Sequence, residues 1–289
     1  MNKPQWITLS IAFFLAIGLF VLTQENLFGE RKITAKVSAI ATLPNEGLST
    51  DSILYYAKQA LPPSQVAHLA QLEHSISRGD VAEQKLHLMH QLARFWSDSA
   101  KAFTPLAWYP YAYYTAEAAR LENSKNSLSF AAHLILNALS SEDNIQVKQW
   151  DALQAKDLFE RTLILDPSND SAKVGLGAVI LYGGLQAPMT GIAMIMEVVE
   201  KDSTNVFAQL TLAEASLLSG QLDKAVERLK KVVHLQPHNL KATLLLADTY
   251  EKMDKKEDAV QWYKTSLSFI NNTEIKKEVE KRITELKTK

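Results

Sequence analysis

His74, His87 and His90 come nearest, by type and spacing, to a chemical site in this chain. His87 and His90 stand three apart on one stretch of helical periodicity and His74 lies on the stretch before it, so three imidazoles could meet across a hairpin as metal ligands. No cysteine exists anywhere in the chain and no helical pair of acidic residues accompanies these histidines. They read as surface or half-buried side chains, not as a metal centre. A second candidate is Gly175-Leu176-Gly177 followed by Gly183-Gly184, glycine-rich enough to suggest a loop that cradles phosphate. Its spacing fits no phosphate-binding pattern, no strand-like run precedes it, and no Gly-Lys-Ser/Thr follows. No Ser-His-Asp set can be placed either. The expectation is no catalytic residue, no metal, no cofactor, no small-molecule substrate, and hence no enzyme.

The residues instead form a repeat. Stretches 206–239 and 240–273 align at a 34-residue period, matching Leu212 with Leu246, Ala213 with Ala247, Ala225 with Ala259 and Leu229 with Tyr263. A helix pair of that length cannot bury its apolar faces alone and must stack on its neighbours. In 240–273 the first helix carries Leu246, Ala247 and Tyr250 and the second Ala259, Tyr263 and Ser266; 206–239 adds Val232 and then Pro237, where proline ends a helix. Small residues at the eighth and twentieth positions let the two helices approach closely. On these residues the chain resembles the tetratricopeptide repeat family.

A looser unit, 170–205, offers Leu176 and Gly177, then Gly191, Ile195 and Val198, with extra residues in its turn at 183–188. Before it, Ala155, Phe159 and Thr162 read as a second helix, whose plausible partner is 128–139 across a polar connection at 140–148. The expected array is thus an all-α solenoid with the repeat register over 149–272. Degenerate hairpins occupy 50–148, read as pairs at about 64–99 and 104–139. Within the first of these, Leu86, Met89, Ala93 and Trp96 share one helix face; the second is rich in aromatics, from Trp108 through Tyr109, Tyr111 and Tyr113 to Tyr114. Residues 273–289 are charged except for Ile275, Val279, Ile283 and Leu286, which suits a capping helix with one apolar stripe.

At the other end, after a tail of residues 1–5, residues 6–23 contain no charge and would span about 27 Å as a helix, near the thickness of a bilayer core. A single-pass anchor and a cleaved signal peptide both fit, but no small-x-small cleavage site follows. Residues 24–49 read as a tether. The short amino-terminal tail favours an inside start, placing the array in an extracytoplasmic, periplasmic space. The formal net charge of −1 gives no basic surplus for nucleic acid.

The resemblance implies a binding surface. In that family the second, fifth, ninth, twelfth and thirteenth positions of each first helix line a concave groove. Here those include Val174 and Tyr182; Phe207, Leu210, Glu214, Leu217 and Leu218; and Lys241, Leu244, Asp248, Glu251 and Lys252. Such a groove could accept an amphipathic helix or extended peptide, and Glu214 and Asp248 would favour basic partners. The Lys/Asn pattern of the clamp that binds acidic chaperone tails is absent. The expected function is a membrane-anchored adaptor for a protein or peptide partner. The alternatives are a subunit or assembly factor of an envelope complex, linked to cytochrome maturation or secretion and held by the aromatic segment 108–114, or a secreted soluble repeat protein.

Overall fold

A computed structural model describes residues 49–76 and 82–288, all of whose regular structure is helical. The apolar run 6–23, the tail before it and nearly all of the tether after it lie outside the described residues, as does the turn at Arg78-Gly79-Asp80. Among the described residues no helix is long and apolar enough to cross a membrane. The described chain divides into two compact units, 49–186 and 187–288, and the division falls within the 170–205 repeat.

The first unit contains α1 (Thr50–Gln59), α2 (Pro63–Ile76), α3 (Ala82–Ala102), a 3₁₀ turn at Pro105–Ala107, α4 (Trp108–Glu122), α5 (Lys125–Leu139), α6 (Ile145–Leu165) and α7 (Asp170–Gly183). The pairing of α5 on α6 is the one expected of 128–139 and the helix after it, whereas α3 packs most extensively on α4, one helix out of step with the hairpins expected at 64–99 and 104–139. The polar segment 140–144 makes the α5–α6 connection. It reads as a break, yet it is tied down, because Glu142 accepts from the Tyr109 hydroxyl at 2.9 Å and from the Asn144 N–H at 2.9 Å. Asn144 then caps α6, so α6 starts at Ile145 and folds back on α5. Helix α1 was not anticipated. Ser49 caps it, and it is held by Ile53 against Tyr109, Val147 and Trp150 and by the Trp150 indole N–H donating to Thr50 Oγ1 at 3.1 Å. Met89, Ala93 and Trp96 of the expected α3 face are buried, with Leu92 and Phe95 beside them. Tyr109 and Tyr114 are also buried, and Tyr111 and Tyr113 pack half-buried against the core, so much of the aromatic segment is consumed inside the unit.

The second unit contains α8 (Pro188–Lys201), α9 (Val206–Leu218), α10 (Leu222–Leu235), α11 (Leu240–Lys252), α12 (Lys256–Leu267) and α13 (Thr273–Thr288). Three-residue turns join α9 to α10 and α11 to α12, and each pair packs as an antiparallel hairpin. The repeat is visible in the backbone. Asn205 and Asn239 cap α9 and α11 by accepting from Ala208 and Ala242 N–H at 3.0 and 2.9 Å. Thirty-four residues apart, Gly220 and Asp254 both take the left-handed conformation (φ 73° and 58°) that ends the first helix of each hairpin. The small residues Ala213, Ala247, Ala225 and Ala259 are fully buried where the helices approach, and Leu229, Leu246 and Tyr263 fill the space between them. On α13, Ile275, Val279 and Ile283 are buried and close the core, leaving the charged face outward.

Candidate functional site

Ion pairs bring α9, α11 and α13 side by side on one face of the second unit. Glu214 on α9 pairs with Lys241 on α11, and Glu251 on α11 pairs with Arg282 on α13. Between them Asp248 pairs with Lys252 along α11 at 2.7 Å. Residues 214, 248 and 282 fall at successive 34-residue intervals, so the ninth positions of three consecutive first helices carry Glu, Asp and Arg.

The network around Glu251 reaches the core. Its carboxylate accepts from Arg282 Nε at 3.0 Å and from Arg282 Nη2, and also from the buried Tyr263 hydroxyl at 3.1 Å. Arg282 Nη1 donates to Glu285 at 2.9 Å. Burial pushes the Arg282 pKa down, but the Glu251 hydrogen bonds and charge outweigh it, so the guanidinium stays charged. Burial, reinforced by the charges of Asp248 and Glu251, pushes the Tyr263 phenol well up, so it stays a hydrogen-bond donor. Burial also raises the Asp248 carboxyl above the usual carboxylate range, opposed by the adjacent Lys252. Every one of these groups is spoken for by a neighbour. The arrangement ties α9, α11 and α13 together.

The apolar groove positions divide by depth. Leu244 is buried in the core because its side chain meets the other helices of the unit, and Leu210 is half-buried against the same core. Phe207 and Leu217 are half-buried, whereas Leu218 is 64 % exposed. In the first unit, Val174 is fully buried on α7 and Tyr182 half-buried. Val174 and Leu244 therefore serve packing, and Phe207, Leu217 and Leu218 supply the accessible apolar surface. Arg282 lies in the stretch that reads from sequence as a cap outside the repeat, and the signal that marks it is the 34-residue period extended past 273.

The chemical candidates have structural roles. A Cβ at Gly175 would lie 2.3 Å from the Phe159 ring, and one at Gly183 would lie 2.3 Å from Ala152 Cβ, so these glycines permit the close approach of α7 to α6. His87 shares a 3.1 Å hydrogen bond with Gln91. Among the described residues no group of three His, Asp or Glu side chains is placed to hold a metal ion.

Paired helices, a 34-residue register in side chains and backbone, and small residues at the helix contacts define an array of repeated helical hairpins, the fold that the tetratricopeptide resemblance implies. A family model described as Regulator of microtubule dynamics protein 1-3 matches residues 201–289. No curated protein matches the chain significantly. Solved structures with a similar arrangement include MamA from Desulfovibrio magneticus RS-1, 21 % identical with TM-score 0.43, covering 66 % of this chain and 96 % of that one. YrrB, described as a TPR protein with an unusual peptide-binding site, is 16 % identical with TM-score 0.40 over 73 % of this chain and 97 % of its own. The APC/C hetero-tetramer Cut9-Hcn1 is 15 % identical with TM-score 0.45, over 80 % of this chain and 48 % of that one.

Proposed function

We propose that this chain is a non-catalytic adaptor, held at a membrane by residues 6–23, that recruits a protein or peptide partner through the face formed by α9, α11 and α13. The observation that carries the reading is that face itself. Its polar groups are satisfied among themselves, leaving none poised as nucleophile or base, while Phe207, Leu217 and Leu218 remain accessible beside them. Exposed apolar side chains rimmed by polar ones are what a docking surface requires. The uncharged run at 6–23 supports the anchor. Replacing Leu217 and Leu218 by Ser should abolish recovery of the partner from detergent-solubilised native membranes while leaving helicity by circular dichroism unchanged. Undiminished recovery would refute the assignment of this face.

A second reading takes the partner from the family model, whose match at 201–289 contains all three helices of the face. On that reading the partner is a microtubule and the array lies on the cytoplasmic side. Co-sedimentation of the full chain with polymerised tubulin, lost in the Leu217→Ser/Leu218→Ser variant, would favour it.

A further inference from the structure

Helix α6 carries an exposed apolar face of its own in the first unit. Leu153 is 56 % exposed and Ile164 78 %, and between them stand Lys156 and Glu160, paired along the helix at 2.6 Å. At about 100° per residue these four positions fall within a sector about 80° wide, so they share one side of the helix. The opposite side is spent inside the unit, where Ala155, Leu158, Phe159 and Thr162 are fully buried. Asp157, at the border of the sector, is held by Arg120 at 2.7 Å and by Arg161 at 2.9 Å and brings no unpaired charge. The order of the four exposed residues is symmetric. The midpoint of Leu153 and Ile164 and the midpoint of Lys156 and Glu160 coincide at position 158 to within half a residue.

We propose that this face pairs with a second copy of the chain, α6 lying antiparallel on α6 across a two-fold axis at the level of residue 158. A two-fold contact sets residue i against j and j against i, so a helix face fits its own copy only where it reads as complementary from both ends. Turned about residue 158, Leu153 of one chain meets Ile164 of the other at each end, and Lys156 meets Glu160 twice in the middle. The four charges alternate in sign around the axis, each keeping its ion pair within the helix and gaining another across the contact. A parallel contact in register would instead oppose Lys156 to Lys156 and Glu160 to Glu160, which repel. The stretch from 153 to 164 is about 16 Å long, short of the about 1,200 Å² that a standard complex buries. The dimer is therefore weak, with a dissociation constant on the order of 10–100 μM.

The chain has no cysteine, so Leu153→Cys/Ile164→Cys in the full chain in detergent, under mild oxidation, tests the geometry directly. The two sites lie about 16 Å apart along one helix, beyond the about 7 Å Cα separation that a disulfide spans, so any bridge joins two chains. The double variant should give a discrete dimer on non-reducing gels. Neither single variant should, because each site lies about 16 Å along the axis from its own copy. Sedimentation velocity from 10 to 300 μM should show the unsubstituted chain moving to dimer as concentration rises, and Glu160→Lys should weaken the association at least tenfold. Adding Lys156→Glu to Glu160→Lys exchanges the two signs and should bring it back to within threefold, with circular dichroism checking that both variants keep their helicity. Single variants that bridge as well as the double one, a ladder of larger species, an association untouched by Glu160→Lys, or one that the exchange fails to restore would overturn the inference. A chain that bridges in no variant and stays monomeric throughout would overturn it too and leave the face to a different partner.

Discussion

Adding one methyl group at Gly175 should destabilise the first unit, although glycine is a poor helix former and alanine the best. A Cβ there would lie 2.3, 2.5 and 2.9 Å from three carbons of the Phe159 ring, which is fully buried. Ordinary carbon–carbon contact needs about 3.5–4.0 Å, so the ring or α7 must move by about 1 Å. Helix propensity favours alanine by about 1 kcal/mol, while overpacking a closed core costs about 1–3 kcal/mol. Because the ring is fully buried and all three contacts fall below 3 Å, the upper part of that range is expected, and the net loss should be about 1–2 kcal/mol. Phe159→Leu removes the atoms that the methyl meets. Alone it should cost about 1–2 kcal/mol as lost packing, and combined with Gly175→Ala it should cost less than the sum by about 1 kcal/mol or more. Native-state hydrogen exchange of α6 and α7 amides reads this locally, even if the two units unfold separately. Greater protection in Gly175→Ala, or strict additivity in the double variant, would refute the close-packing argument.

Other predictions follow from the same contacts. Arg282→Ala should lower the stability of the docked α13 by about 2 kcal/mol, since it removes charge-assisted hydrogen bonds to Glu251, and exchange of α13 amides should rise before that of α11. Asn239→Ala should cost about 1 kcal/mol through loss of the cap on Ala242 N–H, read as a lower urea midpoint of the second unit. Asp254→Gly should stabilise by up to about 1 kcal/mol, because Asp254 holds φ 58°, a conformation that glycine adopts without strain. Burial lowers the pKa of His133 from 6.5, where its ring meets Phe159 edge-on and its Nε2 meets Ser171 Oγ at 3.0 Å. The unfolded chain therefore binds the extra proton, and stability is complete above pH 6.5 and falls as pH drops toward the lower folded value. His133→Leu should flatten that part of the pH profile in urea titrations.

The 34-residue period was legible because it is written in residue types that packing demands. Ala213 and Ala247, or Ala225 and Ala259, stand fully buried where helices touch. The stripe Ile275, Val279 and Ile283 showed in the same way, as apolar positions among charges on one helix face. Of the upstream pairings, that of 128–139 with the helix carrying Ala155, Phe159 and Thr162 was legible and is α5 on α6, whereas that of α3 with α4 was not. Residues 140–144 are polar and look like a linker, and only the tertiary contact of Glu142 with Tyr109 shows that they form a tight connection between α5 and α6. At the face, period alone found Glu214, Lys241 and Asp248 but not their pairing. Sequence position cannot say whether an acidic side chain faces a partner or a lysine of the next helix, as Glu214 faces Lys241. Depth was equally hidden: Leu218 is exposed and Leu244 buried, though both are groove-position leucines.

The most direct measurement places a photocrosslinking amino acid at Leu218, on the face, and separately at Ile164, which is 78 % exposed on the first unit, in the full chain expressed in cells. The account predicts one discrete, saturable adduct with the same protein from position 218 and none with that protein from 164. Equal crosslinking to that protein from both positions, or none from 218 where the chain still recovers its partner, would contradict it.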